Sequence, residues 1–526
     1  MSGCLIFIPT LWSLVLSRVR VIFDMVLRSP LLSLAVACAV VWVISTKLVF
    51  AGGGEIETSP EATIVHHEES VFRADPEYAE KPYSAEAQKD IYGGKTAVKT
   101  PRPMFEFGRK QYQTGPFDPG IDLIGSKNLL FPAFTAYGDW RSAVAYNDSG
   151  ALEQGILATR LNLDLDLKLT GTERIHAFMR PLDRGGQFSR FEFSADDDDR
   201  SELEFDLNLD TLFFEGELGA LATGFTGEES HFDLPFAVGL MPLLFQNGVW
   251  LEDAFNGIAF SIPARNSPVL DISNMDFTFF AGFDRVTTGA VLDNDGALAD
   301  HSADVYGAAA FIEALRGYFE LGYGYTDAEG SKDDQSYHNL TISHTRRFSD
   351  ILSNSVRLIW NIGQDRDGGA QQTADGYIIL LENSLITSRP LTLVPYGNFW
   401  AGFDRPQSLA RDGGAGGILK NTGINFETDG LTGFPKLDDT GRDTWGGALG
   451  VSYLFSLDRQ LIGELAAVQT MGGASGRPAL GDQYAVGVRY QQPLNEKWII
   501  RGDVMHGWLE DTDDLFGIRL EFRRKF

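Results

Sequence analysis

From about residue 130 onward, apolar and polar side chains alternate with period two. Leu157, Thr159, Leu161, Leu163, Leu165, Leu167 and Leu169 share one face of an extended segment, and Ala158, Arg160, Asn162, Asp164, Asp166 and Lys168 share the other. Strands of soluble sandwiches also alternate. A face of leucines backed by ionised groups fits a wall between lipid and water better. Leu203, Phe205, Leu207 and Leu209 interleave with Glu204, Asp206, Asn208 and Asp210 in the same way. So do Tyr484, Val486, Val488 and Tyr490 with Ala485, Gly487, Arg489 and Gln491. The pattern predicts eighteen strands, near 133–146, 156–170, 173–181, 203–216, 234–246, 255–263, 275–286, 303–314, 317–326, 335–347, 353–363, 376–387, 391–403, 443–455, 459–469, 481–492, 496–507 and 514–526, with sixteen as the other count. The fold class is all-β, a transmembrane antiparallel up-and-down barrel. An even strand count returns the chain to the side on which it started.

The connections sort into two sets. One set is mostly short and contains Gly171-Thr172, Leu315-Arg316, 348–352, 388–390, 456–458 and 493–495. The other contains 182–202, 287–302, 327–334, 364–375, 404–442, 470–480 and 508–513. Short turns on one rim and long loops on the other are expected of an outer-membrane barrel, with both termini on the short-turn, periplasmic side. The acid-rich stretches ADDDDRSE, LDNDGALAD, DAEGSKDD and EDTDD all fall in the long-loop set. Loop 404–442 is the longest. It either folds inward as a constriction or lies outside as a surface loop.

The chain ends DLFGIRLEFRRKF. Phe516, Ile518, Leu520, Phe522 and Phe526 share one parity, and Arg524 interrupts it. This resembles the last strand of Gram-negative outer-membrane barrels, where an apolar residue is usual at the position of Arg524. The resemblance implies insertion by the barrel-assembly machinery through Phe526, with outer-membrane lipid and lipopolysaccharide as surroundings. Homotrimers are common among such proteins. A second segment, VGLMPLLFQNGVWLEDAFNGIAF (238–260), resembles the strand–loop–strand of large substrate-selective porins, including the alginate-export type, through Gly239, Pro242, Gly248 and Phe255-Asn256-Gly257. Leu240 and Met241 stand where those proteins usually have an Arg. The resemblance therefore implies a porin-type channel and no particular sugar.

Before the barrel lie a leader and an arm. Residues 31–44 form an apolar run that is short for a membrane helix and suits a signal-peptide core, with a cut after Ala51. Met25 opens a cleaner signal than Met1. The expected organisation is a signal peptide at 1–51, a periplasmic arm at 52–130 and the barrel at 131–526. The two cysteines, Cys4 and Cys38, both fall in the leader, so disulfides, Cys-ligated zinc and covalent haem are excluded from the mature chain. The whole chain carries 44 Lys+Arg against 72 Asp+Glu, which excludes a nucleic-acid partner.

The residues expected to line the channel are Arg160, Asp164, Asp166, Arg174, His176, Arg180, Glu204, Asp206, Arg357, Arg489, Arg501, Asp503, Arg519 and Glu521. Arg489, Arg501 and Arg519 fall on the last three strands and are expected to stack as a ladder. Asp164, Asp166, Glu204 and Asp206 form an acidic wall opposite it, setting a field across the pore. No Ser/His/Asp spacing points to an enzyme, and His176 reads as a pore-lining group. No cofactor is expected. Calcium held loosely by Asp293 and Asp295, or by Asp365 and Asp367, is the candidate metal chemistry. The function expected is passive diffusion of small polar or charged solutes, with mild cation preference from the acidic mouth. A second reading stays open: a barrel that sheathes a partner, such as a multihaem cytochrome or a secreted polysaccharide, and is no open pore by itself.

Overall fold

A computed structural model describes residues 102–526, apart from 110–119 and short loop stretches at 151, 195–198, 294–295, 300, 391, 421, 424–425, 428, 456–458, 473–478 and 480. The segments expected as signal peptide and, for the most part, arm, with Met25 and Cys38, lie outside the described residues.

The strands, in chain order, are β1 Ala133–Asp148, β2 Glu153–Lys168, β3 Arg174–Met179, β4 Leu209–Glu217, β5 Pro235–Phe245, β6 Leu251–Ser267, β7 Ile272–Asp284, β8 Ala303–Ala314, β9 Gly317–Ala328, β10 Tyr337–Phe348, β11 Leu352–Ile362, β12 Tyr377–Leu385, β13 Leu393–Phe403, β14 Thr444–Leu454, β15 Gln460–Thr470, β16 Gln483–Pro493, β17 Trp498–Leu509 and β18 Leu515–Lys525. Each pairs antiparallel with its sequence neighbour. β18 then pairs with β1, from Asp148↔Phe516 to Asp139↔Lys525, and closes an 18-stranded barrel. Closure removes every free edge, which is the condition for strands to sit in hydrocarbon. Beyond the end of β18, the strand Phe105–Gly108 continues the ladder on the lower half of β1.

Parity holds around the wall. Side chains such as Trp445, Leu449, Leu465 and Val488 point outward and are exposed, Leu465 at 60%. An apolar outer surface of this extent cannot face water stably. Aromatic residues gather toward both ends of the strands, with Tyr377–Phe403 and Phe283–Tyr306 toward the loop end and Tyr453–Phe455 toward the turn end. These pairs supply the girdles of a membrane barrel. Among the described residues, no helix is long and apolar enough to cross a membrane.

The turn rim is tight. Leu315 and Arg316 join β8 to β9 with both residues in the left-handed region (φ 54° and 62°), a two-residue turn whose twist matches the strands it joins. The turn between β4 and β5 is larger and contains the helix Leu218–Thr226. Glu217 caps it by accepting the backbone N–H groups of Gly219 and Ala220, and Gly227 ends it at φ 73°.

Two expected strands differ. The run 203–208 alternates but is not part of β4, which starts at Leu209. Leu203, Phe205 and Leu207 are exposed, and the Glu204 backbone N–H donates to Ser189 Oγ. The chain after β3 instead forms a hairpin, Gln187–Ser194, that pairs with the upper half of β2, with Arg200–Glu202 beside it. Proline at 181 has no N–H for a ladder, and β3 stops at Met179. Strand β6 is longer than expected and runs on both sides of 255–263.

Candidate functional site

The buried apolar cluster of this protein lies inside the barrel. It joins inward wall residues such as Phe255, Phe280, Ile359, Leu380 and Trp400 to Leu409, Ile418, Leu419, Phe426, Phe434 and Leu437, all from the connection between β13 and β14. That connection, residues 404–443, therefore folds into the lumen, the first of the two alternatives the sequence left open.

Its entry is held by polar side chains on the inner wall. Asn339 and Asn361 donate to the Gln407 carbonyl at 2.8 and 3.2 Å. The Tyr337 hydroxyl donates to the carbonyls of Ser408 and Leu409 at 3.0 and 2.9 Å. Ala410-Arg411 then pair in parallel with Leu251-Glu252 at the start of β6. The turn before β6 bends inward as well. Trp250 is fully buried and donates to Asn339 Oδ1, and Arg357 donates to the Gln246 carbonyl at 2.6 Å. Gly322 of β9 leaves the room Trp250 needs, since a Cβ there would stand 2.7 Å from the indole.

The loop tip docks on β16–β18, β1 and β2. Glu427 organises the tip from within by accepting the backbone N–H groups of Thr432 and Phe434 and the Thr432 hydroxyl. It also meets Arg519 at 3.3 Å. Asp429 bonds Arg141 and, at 2.7 Å, Arg160. Leu431 is wholly buried against Ala143, Ile156, Ala158 and Phe188, a burial that contributes on the order of 1.5–3 kcal/mol. Burial pushes the Glu427 carboxyl up. Burial also acts to raise Asp429, but Arg141 and Arg160 outweigh it and hold that carboxyl below its ordinary range.

The expected arginine ladder does not form. Cross-strand register sets Asp503 between Arg489 and Arg519, and Glu521 opposite Arg501. Arg489 donates to Asp503 at 2.7 Å, Arg519 to Asp503 at 3.2 Å, and Arg141 to Glu521 at 2.7 Å. Acid and base alternate because like charges side by side in a poorly solvated wall repel. Arg519, Asp503, Glu521 and Arg357 are almost fully buried, so the docked loop and the wall enclose them.

The acidic and basic walls are not opposed either. Closure places β18 beside β1 and β1 beside β2. Asp164 and Asp166 consequently stand one strand away from the basic group. Arg160, Asp164, Asp166, Arg174 and Arg501 all line one cavity of about 930 Å³ under the loop tip, together with Asp139, Arg141, Arg523, Lys525 and Phe526. Asp166 lies 3.7 Å from Arg174, which also binds Glu215 at 2.6 Å. His176 reaches Glu215 at 3.4 Å. Arg180 is taken up by Asp210 and Asp183. Arg501 forms no ion pair within 4 Å among the described residues and donates only to the neutral Gln491. Glu204 and Asp206 belong to the segment ahead of β4, where Arg184 approaches Glu204 at 3.8 Å.

Asp139, Arg141, Glu427 and Asp429 complete the site and were not singled out from the sequence. The first two had a usable signal, since they share the inward parity of β1. As for metals, Asp293 is paired with Lys332 at 3.0 Å, and Asp295 lies outside the described residues. The Asp367 backbone N–H donates to Asp334. Among the described residues no three His, Cys, Asp or Glu side chains gather to hold an ion.

No protein-family model matches this chain, and no curated protein matches it. Solved structures similar to it include the outer membrane protein OpdK from Pseudomonas aeruginosa, at 13% identity and a TM-score of 0.46 over 75% of this chain and 98% of that one. OccAB4 of Acinetobacter baumannii is similar at 11% identity and a TM-score of 0.46, with the same coverage. OccK2 (OpdF) of Pseudomonas aeruginosa, solved in complex with glucuronate, is similar at 11% identity and a TM-score of 0.44 over 75% and 96%.

Proposed function

We propose that the chain is a bacterial outer-membrane porin that passes small polar and charged solutes through a lumen narrowed by residues 404–443. The observation that carries this reading is the charged cavity of about 930 Å³ directly beneath the docked tip. Asp164, Arg501, Arg523 and Lys525 give the cavity a charged lining that favours ions and polar molecules over apolar ones. The apolar outer belt supports membrane placement, and the short turns and long loops support termini on the periplasmic side. The acid-rich loops raise the cation concentration at the outer mouth, an effect that fades as salt shortens the screening length.

The sheath reading has nothing in its favour. A partner threaded through the barrel would have to displace Leu409, Phe426, Leu431 and Phe434 from buried sites and expose the ion pairs around Arg519.

The test is single-channel recording of the refolded chain in a planar bilayer with a salt gradient. Stable ohmic steps with a cation-selective reversal potential at low salt are expected. A folded, heat-modifiable barrel that never conducts sinks the porin reading, and anion preference at low salt sinks the acidic-mouth argument.

A further inference from the structure

The helix Leu218–Thr226, the one α-helix among the described residues, stands in the turn between β4 and β5 with its apolar face outward. Leu218, Leu221, Ala222 and Phe225 share that face at the i, i+3, i+4, i+7 spacing. Phe225 is 75% exposed and Leu218 40%. The opposite face is packed. A Cβ on Gly224 would stand 2.9 Å from Asn128 Cβ and 3.1 Å from the Ile124 carbonyl oxygen, so the helix lies directly on the chain just before β1. Buried Glu173 ties that segment, the β2–β3 turn and the start of the helix together. It accepts Asn128 Nδ2 at 3.0 Å, the Thr172 hydroxyl at 2.7 Å and the Glu217 backbone N–H at 3.3 Å. These bonds fix which face the helix turns outward.

The side chains of this helix are apolar apart from Thr223 and Thr226, so its outer face offers water nothing to bond. That face continues the lipid-facing wall. On β4, Leu212 and Phe214 point outward, and the Phe214 ring lies 5.7 Å from that of Phe236 on β5. Leu218 keeps their parity as the strand passes into the helix, and Phe225 follows two turns on along the same side. The charged residues come only after Gly227 has ended the helix. Glu229 is exposed there and reaches Lys127 at 3.7 Å. A short helix at a membrane edge, with Leu and Phe on one face, buries that face at the boundary between headgroups and acyl chains. We propose that Leu218, Leu221, Ala222 and Phe225 enter the acyl chains of the leaflet that meets the turn rim, making the helix an interfacial foot of the barrel. The contact is apolar and requires no particular headgroup. This rests on the membrane placement given above.

The full-length chain carrying C4S and C38S is refolded into phosphatidylcholine vesicles with a single dye-labelled cysteine, introduced as L218C or, separately, F225C. L465C on the outer wall is the lipid reference, and E229C beyond the helix is the water reference. Each label is quenched by lipids brominated on the acyl chain and, separately, by iodide present on both sides of the membrane. L218C and F225C should behave like L465C, with quenching by brominated lipid several-fold stronger than by iodide, and E229C should show the reverse. Iodide quenching of L218C and F225C to the level of E229C would put the face in water and overturn the proposal. Protection from both quenchers would mean that protein covers the face, either residues 110–119 or a second copy of the chain, and would overturn it as well. In both cases L465C quenched by brominated lipid leaves the porin reading intact. L465C quenched by iodide alone overturns the membrane placement and both readings with it.

Discussion

Glu427 and Arg519 form a wholly buried ion pair, 3.3 Å from Oε1 to Nε, although one lies at the tip of the connection between β13 and β14 and the other in the middle of the last strand. The pair ties the loop to the wall where the barrel closes on itself. Arg519 keeps Asp503 and Glu521 as partners, so removing Glu427 acts mainly on the tip, where the buried Thr432 and Phe434 N–H groups lose their acceptor at a cost of about 1–3 kcal/mol. E427A should therefore release the tip, and its single-channel steps should be larger and noisier than those of the wild type. Equal step size and noise would mean that the tip is held without Glu427.

The two carboxylates of the tip respond oppositely to acid. Burial raises the pKa of Glu427 when docked, so docking is not weakened as the pH falls through the glutamate range. Asp429 has a depressed pKa when docked. Its contribution to docking is fully present above the ordinary aspartate value and is lost as the pH falls through the lower, docked value. Conductance should stay level through the ordinary aspartate range, near 3.9, and rise only below it. D429N should conduct at the open level at neutral pH and show no acid step. An acid step retained in D429N would assign the transition to another group.

Phe434 and Pro435 lie against Gly517 of β18, where an added Cβ would stand 2.8 Å from each. G517V should undock this part of the loop while leaving the outer face of β18 untouched, at an overpacking cost of about 1–3 kcal/mol. Enlarged steps with normal heat-modifiability are the expected signature. Loss of the folded band would show instead that Gly517 is needed for the strand itself.

Arg501 lines the cavity with only a neutral hydrogen-bond partner, so on the proposed porin reading its charge is left to act on a passing ion. R501Q should move the reversal potential toward stronger cation preference, with little change in the thermal transition. No shift at low salt would place the ion path away from β17.

Much of the fold is legible in the sequence because alternation records which face of each strand meets lipid. Strand count, the inward side of β2 and β16–β18, and the asymmetry of the connections follow from that one signal. Alternation does not record which strand a segment bonds to, and for that reason 203–208 reads like β4. The docking of the loop is written in pairs far apart in the chain: Arg141 and Asp429 are separated by 288 positions. A local trace of it exists. Ile418, Leu419, Leu431, Phe434 and Leu437 are too many large apolar side chains for a loop bathed in water, and that count favours the inward alternative. The alternation of Arg489, Asp503 and Arg519 follows from cross-strand register, which depends on turn geometry at both ends of each strand.

The most direct test of the account compares single-channel conductance of the wild type with a variant in which residues 422–434 are replaced by a short glycine–serine link. Both proteins should be heat-modifiable barrels, and both should give ohmic steps, those of the variant several-fold larger because the docked tip no longer fills the lumen. Identical steps would mean that ions pass elsewhere than beneath the tip, and that the infolded loop does not set the width of the channel.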